Sequence, residues 1–124
     1  MIEPSDRELY DAAVEVASRA YAPYSRFLVG AAVRARDGLV FLGVNVENAA
    51  YPLGICAEKS ALAAAVTAGC TAGDFEAIGI TASPCGGCRQ WLHELGLERV
   101  VYARAGGEVV VAAPSELLPD TFAL

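Results

Sequence analysis

Apolar and polar positions along this chain follow two periods, and the changes of period mark its elements. Leu9, Ala12, Ala13, Val16, Ala17 and Ala20 recur at helical spacing and predict a helix over about residues 6–20 with one apolar face. Ser5-Asp6-Arg7-Glu8 reads as its capping box, and Pro23 as its stop, because proline cannot supply a helical N–H. Residues 28–34 and 39–46 are apolar runs with imperfect alternation. Asp37-Gly38 lies between them, a hairpin signal. A second helix is predicted from about Cys56 to Ala68, with Ala61, Ala64, Ala65 and Ala68 as a small-residue face and Gly69 as its C-cap. Residues 75–82 are apolar throughout and read as a central strand, broken by Ser83-Pro84. A third helix runs from about Cys85 to Leu95, ended by Gly96. Strands over 98–103 and 108–112 follow, then one helical turn near 114–118. Strands alternating with helices predict an α/β layer fold with helices covering a sheet.

The length of 124 residues predicts one domain, spanning 1–124. No uninterrupted apolar run is long enough for a membrane span, and no basic-then-apolar leader opens the chain, so cytoplasmic residence is the expectation. In a reducing compartment the four cysteines read as metal ligands or buried thiols. A net charge of −6, with nine Lys and Arg scattered, argues against nucleic acid and for a small neutral substrate.

The chemistry concentrates in two blocks, Cys56-Ala57-Glu58 and Pro84-Cys85-Gly86-Gly87-Cys88, each opening a helix. Cys85 and Cys88, at i and i+3, share one side of a first turn. A helix N-terminus favours thiolate over thiol at Cys56. Three sulfur ligands leave one position open, as a catalytic zinc requires, and Glu58 then stands beside that position as a general acid/base. A lone C-x-x-C also occurs in structural zinc sites and redox motifs, but neither explains the upstream Cys-Ala-Glu. Elsewhere, Tyr21-Ala22-Pro23-Tyr24-Ser25-Arg26-Phe27 either covers a sheet edge or lines a pocket. Asn45, Glu47 and Asn48 end the second strand as a loop cap or as holders of sugar hydroxyls.

The two sulfur blocks match the zinc-deaminase signature, H-x-E…P-C-x-x-C with His or a third Cys first. Together with Val29-Gly30-Ala31-Ala32, Gly43-Val44-Asn45-Val46-Glu47-Asn48-Ala49 and Glu116-Leu117-Leu118-Pro119, they make nearly the whole chain resemble the small cytidine deaminases. The resemblance implies a three-layer α/β/α fold, a mixed five-stranded sheet covered by helices. It implies one Zn²⁺ per subunit on Cys56, Cys85 and Cys88, and catalysis by Glu58. It implies ribose binding by Asn45 and Glu47, a pocket aromatic at Phe27, and base-edge contacts from backbone near Ala57 and Ser83. Phe122 matches a C-terminal Phe that reaches a neighbouring subunit's site, so a homotetramer is implied. The implied reaction is deamination of cytidine or deoxycytidine in pyrimidine salvage.

Two departures from the family pattern stand out. Lys59 follows Glu58 where many three-cysteine members carry Arg, and Arg89 after Cys88 is the other candidate to offset the thiolate charge. The link from the third strand to Ser83-Pro84 is short, which leaves open a modified cytosine nucleoside or an aminonucleoside such as blasticidin S. A structural zinc module is the reading of a different class.

Overall fold

The computed structural model describes residues 2–124. Among them, five strands form one sheet: β1 (Gly30–Ala35), β2 (Val40–Val44), β3 (Phe75–Ile80), β4 (Arg99–Ala103) and β5 (Val109–Ala112), in the order β2-β1-β3-β4-β5. β3 and β4 are parallel, and the other neighbours are antiparallel. A parallel pair needs a crossover, and α3 (Gly86–Glu94) supplies it. α1 (Pro4–Val16) covers one face of the sheet, while α2 (Ala57–Thr67) and α3 cover the other; α4 (Pro114–Leu117) is a single turn. This is the expected three-layer α/β/α arrangement around a mixed sheet.

The pleat explains the imperfect alternation of the first strand. Ala31 and Val33 join the larger core with Leu62, Phe75, Ile78 and Leu92, while Ala32 faces Leu9 and Ala13 of α1. A strand covered on both faces has no polar side to show. Small residues then set how close the helices lie. A Cβ on Gly43 of β2 would sit 2.6 Å from the Ala57 carbonyl oxygen and 2.8 Å from the Ala61 Cα. α2 therefore rests on β2 at backbone distance, and its N-terminal turn is fixed to the sheet. Gly69 and Gly96 take φ of +112° and +73° just past α2 and α3, conformations glycine adopts without steric cost.

The first helix departs from its expected bounds at both ends. It starts at Pro4, with Glu3 as N-cap and no side-chain cap, so Ser5 lies inside the first turn and forms no capping box. Proline at the first position is already preset for a helix and has no N–H to satisfy. Asp6 is 1% exposed. Its carboxylate accepts from Arg34 at 2.7 Å and from Arg99 at 2.8 and 3.2 Å. Arg34 also donates to Glu76, at 2.6 Å. This ion network staples α1 to β1, β3 and β4. At the other end α1 stops at Val16 and a short 3₁₀ turn, Ala17–Arg19, follows, so Pro23 is not the stop. The chain leaves the helix early because Tyr21 bonds to the continuation of β2: its N–H donates to Asn45 O at 3.0 Å, and Glu47 N–H donates to its carbonyl at 2.8 Å.

Candidate active site

Both sulfur blocks sit where two helices begin. Cys56 is the N-cap of α2 and Cys85 the N-cap of α3, each with extended backbone, and Cys88 lies in the first turn of α3. The three Sγ atoms lie within 4.8 Å of one another, with Cys56 and Cys85 3.8 Å apart. Tetrahedral zinc with Zn–S bonds of about 2.3 Å sets its sulfurs about 3.8 Å apart, so the cluster fits the metal. Burial pushes the Cys56 and Cys88 thiols up, Cys88 furthest. Burial opposes ionisation at Cys85 too, yet that thiol is held below its ordinary value by hydrogen bonds from the Cys88 backbone and from the other two thiols. Cys85 is thus the thiol of the three that ionises most readily. A cation is what brings all three to the thiolate.

Glu58, in the first turn of α2, is 4% exposed. Burial raises its carboxyl above the ordinary range, against the lowering effect of a Cys88 hydrogen bond and the Lys59 charge. A carboxyl that binds a proton more readily than usual, beside a cluster of metal-ligating sulfurs, suits proton transfer.

The surrounding cavity has a volume of about 570 Å³ and joins Cys56, Glu58 and Cys85 to Phe27, Asn45 and Glu47. Ala57 and Ser83 also line it. Eight of the twelve residues named from the sequence therefore share one cavity. Cys88 is buried behind it, completing the sulfur cluster. Lys59 keeps near the sulfurs: a Cβ on Gly87 would meet Lys59 Nζ at 3.6 Å and Cys85 Sγ at 4.0 Å. Arg89 spends its guanidinium elsewhere, on the carbonyls of Pro84 and Leu117, both at 2.9 Å, and on Ser83 Oγ at 3.3 Å. Those bonds tie α4 and the Ser83-Pro84 link to α3 rather than touching a sulfur. Phe122 is 67% exposed and does not line this cavity; its carbonyl accepts from Gln90 Nε2 at 3.2 Å.

Both readings of the Asn45-Glu47 block meet in the geometry. Asn45 Oδ1 accepts from Val29 N–H at 2.8 Å, and its Nδ2 donates to Phe27 O at 2.9 Å. Glu47 Oε1 accepts from the N–H groups of Tyr24 and Ser25 at 3.0 and 3.1 Å, and Oε2 accepts from Ser25 Oγ. These side chains therefore hold the Tyr21–Phe27 loop. Each keeps capacity to spare: one N–H and one lone pair on Asn45, and one acceptor position on Glu47. The short link before Ser83 is anchored as well, since Thr81 Oγ1 accepts from Gly30 N–H at 3.1 Å.

Of the Tyr21–Phe27 stretch, Tyr24, Ser25 and Phe27 line the cavity, the pocket reading of that loop; sequence reasoning gave Ser25 no role of its own and read Tyr51 only as part of a connecting loop. Tyr24 and Tyr51 meet edge-on, their centroids 6.4 Å apart. The signal for Ser25 was its position two residues before Phe27, whose N–H donates to Ser25 Oγ at 3.0 Å, a serine turn.

Residues 3–104 match the model of the cytidine and deoxycytidylate deaminase zinc-binding region. A cytidine deaminase of Halalkalibacterium halodurans is 41% identical over 126 aligned positions, covering 94% of each chain. The crystal structure of a cytidine deaminase from Burkholderia pseudomallei superposes with a TM-score of 0.87 at 46% identity, covering 94% of this chain and 98% of that one. A crystal structure of the Mycobacterium tuberculosis cytidine deaminase gives 0.84 at 35% identity, covering 98% of this chain and 100% of that one. Its zinc-binding cluster, its fold and these likenesses together show that the chain belongs to the cytidine and deoxycytidylate deaminase family.

Proposed function

We propose that this protein hydrolyses cytidine and 2′-deoxycytidine to uridine and 2′-deoxyuridine, releasing ammonia, in pyrimidine salvage. One observation carries the reading: a single cavity joins a buried acid/base carboxyl and a three-sulfur cluster to the Asn45-Glu47 pair. When bound at Cys56, Cys85 and Cys88, zinc supplies Lewis-acid activation of water, lowering its pKa toward about 7. Glu58 accepts the proton of the attacking water and hands it to ring N3 as the oxygen adds to C4. The hydroxyl now on C4 gives Glu58 its second proton, which Glu58 passes to the departing amino group as the C4–N bond breaks and the C4 carbonyl forms, so that water and nucleoside give uridine and ammonia. The raised proton affinity of Glu58 supports this shuttle. Backbone groups of Ala57 and Ser83 hold the base edge, and Phe27 covers the ring. The spare N–H of Asn45 and the spare acceptor of Glu47 take a sugar hydroxyl. Lys59 offsets the charge of three thiolates; its Nζ and Cys85 Sγ lie 3.6 and 4.0 Å from the same point beside Gly87, which supports that role. Phe122, exposed and outside its own cavity, serves a neighbouring subunit's site in a homotetramer. A purely structural zinc module gives no reason for a buried, cavity-lining Glu58.

Ammonia release from zinc-loaded protein tests the reading, with cytidine, deoxycytidine, cytosine and blasticidin S offered in parallel. Turnover of both nucleosides with cytosine inert is expected. Silence on both, with zinc bound and the protein folded, would overturn it.

A further inference from the structure

Resting on that reading, we infer that Ser25 is a positioning residue for the nucleoside, locking the sugar-binding carboxylate and the pocket aromatic into one unit. Its hydroxyl donates to Glu47 Oε2 and accepts from Phe27 N–H at 3.0 Å, while its own N–H donates to Glu47 Oε1 at 3.1 Å. A hydroxyl has one proton to give. Here it goes to Glu47, so the Phe27 amide must be met by an oxygen lone pair, and the orientation of the group is fixed.

The consequence follows the bonds. Glu47 has about four acceptor positions, of which Tyr24 N–H, Ser25 N–H and Ser25 Oγ fill three. The remaining one is aimed by the other three, and it is the one a sugar hydroxyl takes. On the far side, Phe27 is held at its N–H by Ser25 and at its carbonyl by Asn45 Nδ2, at 2.9 Å. Between them Arg26 takes φ of +59°, a left-handed conformation unusual for a side chain of that size. The loop reverses sharply there and is kept in place by the bonds on either side. Ser25 thus couples recognition of the sugar to the wall that covers the base, although neither of its bonds is to the substrate. Removing the hydroxyl leaves Glu47 held through Oε1 alone and Phe27 N–H unpartnered, so binding suffers while the sulfur cluster and Glu58 are untouched.

The test compares wild type, Ser25→Ala and Ser25→Thr by two measurements. Steady-state kinetics on cytidine should show KM raised about tenfold or more in Ser25→Ala, the size expected for losing a hydrogen bond to a charged group, with kcat within about threefold. Ser25→Thr, which keeps the hydroxyl, should restore KM. Amide hydrogen exchange without substrate should quicken at Tyr24, Ser25 and Phe27 in Ser25→Ala and return toward wild type in Ser25→Thr. An unchanged KM and unchanged exchange in Ser25→Ala would overturn the inference, as would a loss confined to kcat. If wild type does not turn over cytidine, the proposed activity falls. The exchange data still decide whether Ser25 holds the loop.

Discussion

Replacing Gly43 with Ala puts the closeness of α2 and β2 to a direct test. The added Cβ would lie 2.6 Å from the Ala57 carbonyl oxygen and 2.8 Å from the Ala61 Cα, backbone atoms of the helix that carries Glu58 and is capped by Cys56. Ordinary contact begins near 3.4 Å. Ala61 N lies closer still, so the helix must move by about an ångström or slightly more, since no flexible side chain stands in the way to yield instead. Overpacking of this kind costs about 1–3 kcal/mol. For a chain of this size that is a fall in Tm of roughly 5–15 °C. The effect at the site is larger, because Cys85 and Cys88 belong to α3 and do not move with α2. Metal sites tolerate displacements of about 0.2 Å, and a 1 Å misplacement of catalytic groups costs on the order of 100-fold in rate. Thermal unfolding, bound zinc per chain and kcat on cytidine are measured together. Gly106→Ala serves as control, since its Cβ meets nothing within 4 Å. Wild-type Tm, zinc content and kcat in Gly43→Ala would refute the claim that backbone contact at this glycine sets the cluster.

Glu58→Gln should bind zinc normally yet lose most turnover, read by metal analysis beside ammonia release; near-normal turnover would remove Glu58 from proton transfer. Asp6→Asn should lower stability by about 3 kcal/mol, the low end for breaking a buried ion pair because Arg99 is one-third exposed, and denaturant unfolding measures it. The Arg99 and Arg34 bonds hold the Asp6 carboxyl below its unfolded value of 3.8, so its contribution is complete above that value and disappears as pH falls through the lowered folded value. The stability gap between wild type and Asp6→Asn should accordingly be constant near neutrality and close in strong acid. Removing zinc with a chelator should lower Tm and expose Cys56 and Cys85 to a thiol reagent, because a ligand bound only by the folded state stabilises it. An unchanged Tm and unchanged thiol reactivity would argue against a metal on these sulfurs.

The elements were legible where local pattern decides them. The strands and helices were placed from apolar period and Gly or Pro punctuation, the bounds of α1 excepted, and the sulfur cluster from two helix starts together with the zinc-deaminase signature. What escaped was decided by partners distant in the chain. Asp6 reads locally as part of a cap, and only Arg34 and Arg99 across the sheet make it a buried anchor. Arg89 reads as a charge beside a cysteine, but the carbonyls of Pro84 and Leu117 claim it. Asn45 and Glu47 were open between loop support and sugar binding because a carboxylate and an amide have room for both. Ser25 stood unremarked among aromatics, since nothing local shows that Glu47 lies against it.

The anchor at Asp6 also sets an order of events when the chain is made. Asp6 leaves the ribosome well before its partner Arg99, which lies 93 positions later. At about 5–20 residues per second that is a wait of roughly 5–20 s. During it Asp6 has only Arg34 as a counter-charge and α1 has no β4 to dock against, and a carboxylate with part of its partners is costly to bury. The helix therefore gains its full set of ion pairs only once β4 is made. A message cut short before Arg99 yields a chain whose α1 is held at Asp6 by Arg34 alone, more loosely docked and more open to proteases.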